Sequence, residues 1–131
     1  MRRKKPPELT PAELRLMNIV WQKGRATVAE VAAALPKDLP LAYNTVLTTM
    51  RIMEAKGHLR HAKAKDGRAF VYIPKVDRTE AKRNAIRHLL GRFFGGSPES
   101  LVLNLLEDDT LDGAELRKIR QLLQERKGDG E

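Results

Sequence analysis

The sequence predicts a mainly α fold with a small β wing: an N-terminal winged helix-turn-helix domain followed by a three-helix C-terminal region. Three observations lead there. The stretch Leu41 to Ile73 reads as a helix, a glycine stop and a basic hairpin. The positive charge is concentrated in the part of the chain that holds this stretch. Beyond Asp77, apolar residues recur at helical spacing and no strand pattern returns.

The first helix begins at Thr10-Pro11-Ala12-Glu13. Thr10 can cap it, Pro11 suits the first helical position, and Glu13 can close a capping box. Leu14, Met17, Val20 and Trp21 recur at helical spacing and are expected to face a core, and Gly24 ends the helix. Thr27-Val28-Ala29-Glu30 is a second capping box. It opens a short helix with Val28, Val31 and Leu35 inward, stopped by Pro36 and Pro40. The third helix is expected from Ala42 to Lys56, with Gly57 as its C-terminal cap. Val46, Met50 and Met53 form its buried stripe, and Asn44, Leu47, Thr48 and Arg51 its opposite face. Strands at 59–64 and 69–73 flank Lys65-Asp66-Gly67-Arg68, where Asp-Gly suggests a tight two-residue turn. Pro74 ends the second strand.

That third helix is the expected reader of a DNA major groove. Its outer face is slim, polar and singly charged, where a merely solvated helix carries Glu and Lys. Tyr43, Asn44, Leu47 and Thr48 are the candidates for base edges. Asn can pair with adenine, Thr can donate or accept, and Leu can touch a thymine methyl. Thr45, Arg51, Lys56, Arg60, Lys63, Lys65 and Arg68 are the candidates for phosphate contact. The bland alternatives are a solvated helix face and a hairpin whose charges guard its edge.

Net charge is +8 over 131 residues. Residues 1–76 hold 15 Lys and Arg against 6 Asp and Glu, whereas residues 77–131 hold 10 against 11. The positive field thus accompanies the helix and wing. No cysteine is present, which excludes disulfides and thiolate metal sites and is compatible with a cytoplasmic location. No apolar run reaches the roughly 18–20 residues of a membrane span, and MRRKKPPELT lacks the apolar stretch of a secretory signal. His58, His61 and His88 have no sequence neighbours that complete a metal site, and no cofactor is expected. No phosphate loop or nucleophile with a positioned base suggests an enzyme. The expected organisation is a basic flexible tail at 1–8, a DNA-binding domain at 9–76, a helical region at 77–127 and a flexible tail at 128–131.

The last region holds helices from Asp77 to Phe94, after Ser97-Pro98, and after Asp112. Their stripes include Ile86, Leu89, Leu90, Phe93 and Phe94, then Leu101, Val102, Leu105 and Leu106, then Leu116, Ile119, Leu122 and Leu123. About 55 residues make a thin core, and the stripes are too wide for it. A second copy of the chain would cover them and would set two recognition helices roughly 34 Å apart. These residues are therefore the expected homodimer interface.

The chain resembles the penicillinase and methicillin-resistance repressors, the BlaI/MecI family of winged-helix regulators. The likeness covers about residues 9–125 and rests on LTPAELRLMNIVW, YNTVLTTMRIMEAKGHL, DGRAFVYIP and FFGGSPESLVLNLLEDD. The last is the most specific, since a generic winged helix does not demand it. The resemblance implies a homodimeric repressor on a palindromic operator. It also implies a switch, in which a membrane sensor with a zinc protease domain responds to β-lactams and the repressor is cut in its dimerisation region. By motif position the bond is Asn104–Leu105, where well-known members carry Phe after the Asn. The family's copper-responsive members have a cysteine-rich tail that this chain lacks. Two other readings remain open from the residues: a winged helix used as a protein-interaction module, and a ligand-responsive regulator without proteolysis.

Overall fold

A computed structural model describes residues 7–130, and side chains among them as far as residue 126. Residues 1–6 of the expected basic tail, and Glu131, lie outside the described residues. The chain runs α1 (Pro11–Lys23), β1 (Ala26–Thr27), α2 (Val28–Ala34), α3 (Tyr43–Ala55), β2 (Leu59–Lys63), β3 (Phe70–Pro74), α4 (Arg78–Phe93), α5 (Pro98–Glu107) and α6 (Gly113–Gly130). It falls into two compact units, residues 1–85 and 86–131.

Local chemistry sets the helix ends of the first unit. Thr10 and Glu13 form a reciprocal capping box on α1, and Thr27 and Glu30 form another on α2. Two bonds close α3: His58 N–H donates to the Met53 carbonyl and Gly57 N–H to the Glu54 carbonyl. With Gly57 at φ 96°, this is a Schellman ending. It turns the chain sharply from the third helix into the wing.

The core of this unit is one cluster. Leu16, Met17 and Val20 of α1 pack with Val28 and Val31 of α2, Leu35, and Val46, Met50 and Met53 of α3. Leu59 and Tyr72 close it from the sheet. Leu14, expected inside, is 41% exposed, and Leu16 is buried in its stead. The buried stripe of α1 is Glu13, Leu16, Met17 and Val20, at i, i+3, i+4 and i+7. Leu14 lies one residue off that stripe, and the 100° step per residue carries it outward. Trp21 is half-buried against the cluster, and its indole Nε1–H donates to the Val76 carbonyl at 2.9 Å.

The sheet is antiparallel with order β1-β3-β2. The two-residue β1 was not expected. It exists because Ala26 and Thr27 pair with Tyr72 and Val71, some 45 positions away. The wing also differs from a two-residue Asp-Gly turn. Ala64 N–H donates to Ala69 O, and Gly67 N–H donates back to Ala64 O at 2.8 Å. The turn is therefore centred on Lys65 and Asp66, with Gly67 following at φ 73°. A tight Asp-Gly turn of the type I′ form needs positive φ at both central residues. Asp66 is not among the residues with positive φ, so the four-residue loop forms instead. Arg68 N–H is held by Asp66 Oδ1 at 3.0 Å.

Asp77 caps α4 by accepting from Glu80 N–H, Ser97 caps α5, and Asp112 and Glu115 bond reciprocally at the start of α6. The compact division falls between Ala85 and Ile86, inside α4, and not at 76/77 as expected from sequence. The first turn of α4 is bound to α1: the Arg78 guanidinium lies 5.4 Å above the Trp21 ring and reaches the Asn18 carbonyl. Helix α6 runs on to Gly130, past the expected end of the helical region at 127.

Candidate nucleic-acid interface

Helix α3 stands with its stripe of Val46, Met50 and Met53 in the core. Helical geometry then turns Asn44, Thr45, Thr48 and Arg51 outward, and all four are exposed. Tyr43, at the first position, is 53% exposed. Leu47 departs from expectation. It is half-buried and packs against the core cluster, because it sits on the flank of the stripe. The exposed large aliphatic residue of this helix is Ile52, 47% exposed, one turn on from Thr48. Sequence reasoning missed Ile52, although its i+4 spacing from Thr48 and i+8 from Asn44 place it on the outer face.

The N-terminus of α3 is distinctive within the chain. Thr10, Thr27 and Ser97 cap α1, α2 and α5 with side-chain oxygens, whereas Ala42 makes no such bond. The amides of the first turn of α3 are thus left without a side-chain acceptor, an arrangement that suits a phosphate oxygen.

The cations predicted for phosphate contact divide by geometry. Lys63, Lys65 and Arg68 are exposed along and around the tip of the wing. Arg60 is exposed too, but the pleat puts it on the sheet face opposite Leu59 and Lys63. Lys56 is not an outward cation. Its ammonium is bound by both oxygens of Glu13, at 2.8 and 2.9 Å, and is held between α1 and α3. Burial pushes the Glu13 carboxyl up, but the Lys56 hydrogen bond and charge and the Thr10 bonds outweigh it and leave the group below the usual range. Arg51 is exposed. Burial raises the Tyr72 phenol, and the Glu54 charge adds to the rise.

Two histidines take structural parts that the sequence did not disclose. His58 is buried, and its Nε2–H donates to the Pro7 carbonyl at 2.6 Å. That bond ties residue 7, part of the expected flexible tail, to the end of α3. Burial lowers the His58 pKa, against the pull of the Pro7 carbonyl and of Glu13. His61, on β2, meets Glu54 of α3 at 2.6 Å. Among the described residues no group of three or more His, Asp or Glu is placed to hold a metal ion, and no helix is long and apolar enough to cross a membrane.

The second unit has a different surface. No described side chain from Ile86 onward is buried. Phe93 is 69% and Leu123 63% exposed, and Ile86, Leu89, Val102, Leu103, Leu106, Leu116, Ile119 and Leu122 are exposed as well. Leu90, Phe94, Leu101 and Leu105 are half-buried.

Comparison with known proteins matches these features to one group. Residues 9–125 fit the penicillinase repressor family. The chain is 36% identical over 124 residues to the penicillinase repressor of Bacillus licheniformis, covering 95% of each. It is 26% identical to the methicillin resistance regulatory protein MecI of Staphylococcus aureus, over 88% of this chain and 93% of that one. Among solved structures, it is similar to the Bacillus licheniformis BlaI monomeric form in complex with the blaP half-operator. That likeness has 33% identity and a TM-score of 0.50, over 60% of this chain and 93% of the other.

Proposed function

The chain belongs to the penicillinase repressor family of DNA-binding regulators, and from that membership we propose that two copies pair through α4–α6 and bind a palindromic operator, one recognition helix to each half-site. The observation that carries the DNA reading is the outer face of α3. It presents Tyr43, Asn44, Thr45 and Thr48 between an uncapped helix N-terminus and a wing tip bearing Lys63, Lys65 and Arg68. Amides and cations can grip phosphates, and the short polar side chains between them can reach base edges. The similar repressor was solved as a monomer on a half-operator, which agrees with one winged helix per half-site.

The exposed apolar side chains of α4–α6 support the pairing. Ten large ones among the described residues remain exposed in the single chain, a density that calls for a covering surface. An identical copy presents the same stripes and can bury them symmetrically. Pairing also serves specificity, because two linked half-site contacts multiply while each alone is weak and salt-sensitive.

Proteolytic control, by a membrane sensor with a zinc protease domain, would act on that pairing. The Asn104–Leu105 bond lies within α5, with Asn104 exposed and its side-chain amide bound to Ser100 O at 2.9 Å. A protease would have to unwind this helix locally. Cleavage would detach the end of α5 and all of α6, and with them Leu105, Leu106, Leu116, Ile119, Leu122 and Leu123.

The test is selection of bound duplexes from random DNA, followed by titration of the winner and a scrambled duplex at two salt concentrations. Asn44→Ala should relax discrimination by about 1–3 kcal/mol at one base pair. Equal loss on both duplexes would remove Asn44 from base readout.

A further inference from the structure

Behind the wing cations lies a cluster that the DNA reading does not use. Glu54, on the last full turn of α3, receives Nδ1–H of His61 at 2.6 Å. The His61 ring stands edge-on to Phe70, centroids 5.0 Å apart at 76°, and tilts over Tyr72 at 5.9 Å. His61 and Tyr72 are direct cross-strand partners, and Phe70 is the partner of Lys63. A side chain of the recognition helix therefore holds the inner face of the wing.

We propose that Glu54 and His61 form a clasp that sets the pitch of the wing against the recognition helix, and so act as positioning residues for DNA binding. This rests on the DNA-binding reading above. The geometry gives the reason. The base of the hairpin is anchored in the core by Leu59 and Tyr72. Lys63, Lys65 and Arg68 lie beyond that anchor, and Phe70 beside them is exposed. A five-residue strand is about 17 Å long, so a tilt of roughly 10° at its base moves the tip by about 3 Å. That displacement is a whole hydrogen-bond length, enough to separate a cation from its phosphate. The clasp sits level with Tyr72, at the end of the anchor nearer the tip, where it opposes such a tilt.

The clasp predicts a sign opposite to that of simple electrostatics. Glu54 is an anion next to the surface that would meet DNA. Removing its charge should strengthen binding to any duplex if charge alone matters. The clasp requires instead that Glu54→Gln weakens binding to the selected and the scrambled duplex alike, by about three- to tenfold, because the wing cations it misplaces grip phosphates. His61→Gln should do the same. The double variant should be no worse than either single, since both remove one interaction. The salt slope should fall by the same amount in both single variants, at most by about one phosphate contact, because a displaced wing cation loses its phosphate.

Tighter binding by Glu54→Gln, additive losses, or a lower salt slope in His61→Gln alone would each overturn the proposal. The free protein supplies a readout independent of DNA. Amide exchange across residues 61–63 and 70–72 should speed up in both single variants, and unchanged exchange would also overturn the clasp. If the wild-type chain shows no preference for any duplex, the DNA reading itself fails while the exchange result still decides the clasp.

Discussion

Lys56→Met isolates the ion pair that joins α1 to the end of α3. Methionine keeps an aliphatic stem of similar length and removes only the charge. The residue left behind is Glu13, 5% exposed, whose carboxylate otherwise holds both Lys56 Nζ and the Thr10 amide. Stripping one partner from a fully buried pair costs about 3–5 kcal/mol, most of it the stranded charge. Two features reduce that figure. The Lys56 side chain keeps 26% exposure, and Glu13 retains its bonds to Thr10. A loss of about 2 kcal/mol is expected, or roughly 10 °C in midpoint for a unit of this size. The assay is urea unfolding followed by the fluorescence of Trp21, the single tryptophan of the chain, which packs in the first unit and reports on it.

Acidity provides an internal control for the same pair. The Glu13 carboxyl in the folded protein lies below its usual value, so the unfolded chain takes up its proton first as pH falls. The stability it contributes is present above about pH 4.5 and is lost as pH drops through the folded value. In Lys56→Met, burial is opposed by Thr10 alone, and the gap from wild type should narrow on acidification. Glu13→Gln added to Lys56→Met should recover most of the loss, because Gln still caps Thr10 and no charge remains buried. A single variant within about 0.5 kcal/mol of wild type, or a double variant less stable than the single, would refute the reasoning.

His58 should make the first unit sensitive to mild acid. Its folded pKa is depressed, so its contribution is full above about pH 6.5 and lost as pH falls below that value, and His58→Gln should flatten the unfolding midpoint between pH 7.5 and 5.5. Gly57→Ala should cost about 1–2 kcal/mol by Trp21 fluorescence, because φ 96° is strained for any residue with a Cβ. Leu122→Asp with Leu123→Asp should convert a dimer to monomer in sedimentation, while Trp21 still reports a folded first unit.

The features legible in the residues were the ones that close within a few positions. Both capping boxes, the Ser97 cap, the α3 stripe and the Gly57 stop each depend on neighbours within one or two turns, and each formed as read. The outer face of α3 was legible for the same reason, since period 3.6 places Asn44, Thr45, Thr48 and Arg51 together. The exchange of Leu47 for Ile52 as its exposed aliphatic residue came from the width of the core, which helical spacing alone does not measure.

The sequence by itself thus determined that this protein is a winged helix with a polar outer face on its third helix, a basic wing and unusually apolar terminal helices. Charge, caps and periodicity are local quantities, and they suffice for that. The tertiary structure alone decided which cations face outward. Lys56 is bound by a carboxylate 43 residues away and Arg60 is turned to the far side of a pleat, while the His61 ring is drawn to Glu54, seven residues before it on α3. Such pairings depend on where the core brings separate elements together, and a side chain's partner across that distance is set by packing and burial, which no local pattern encodes.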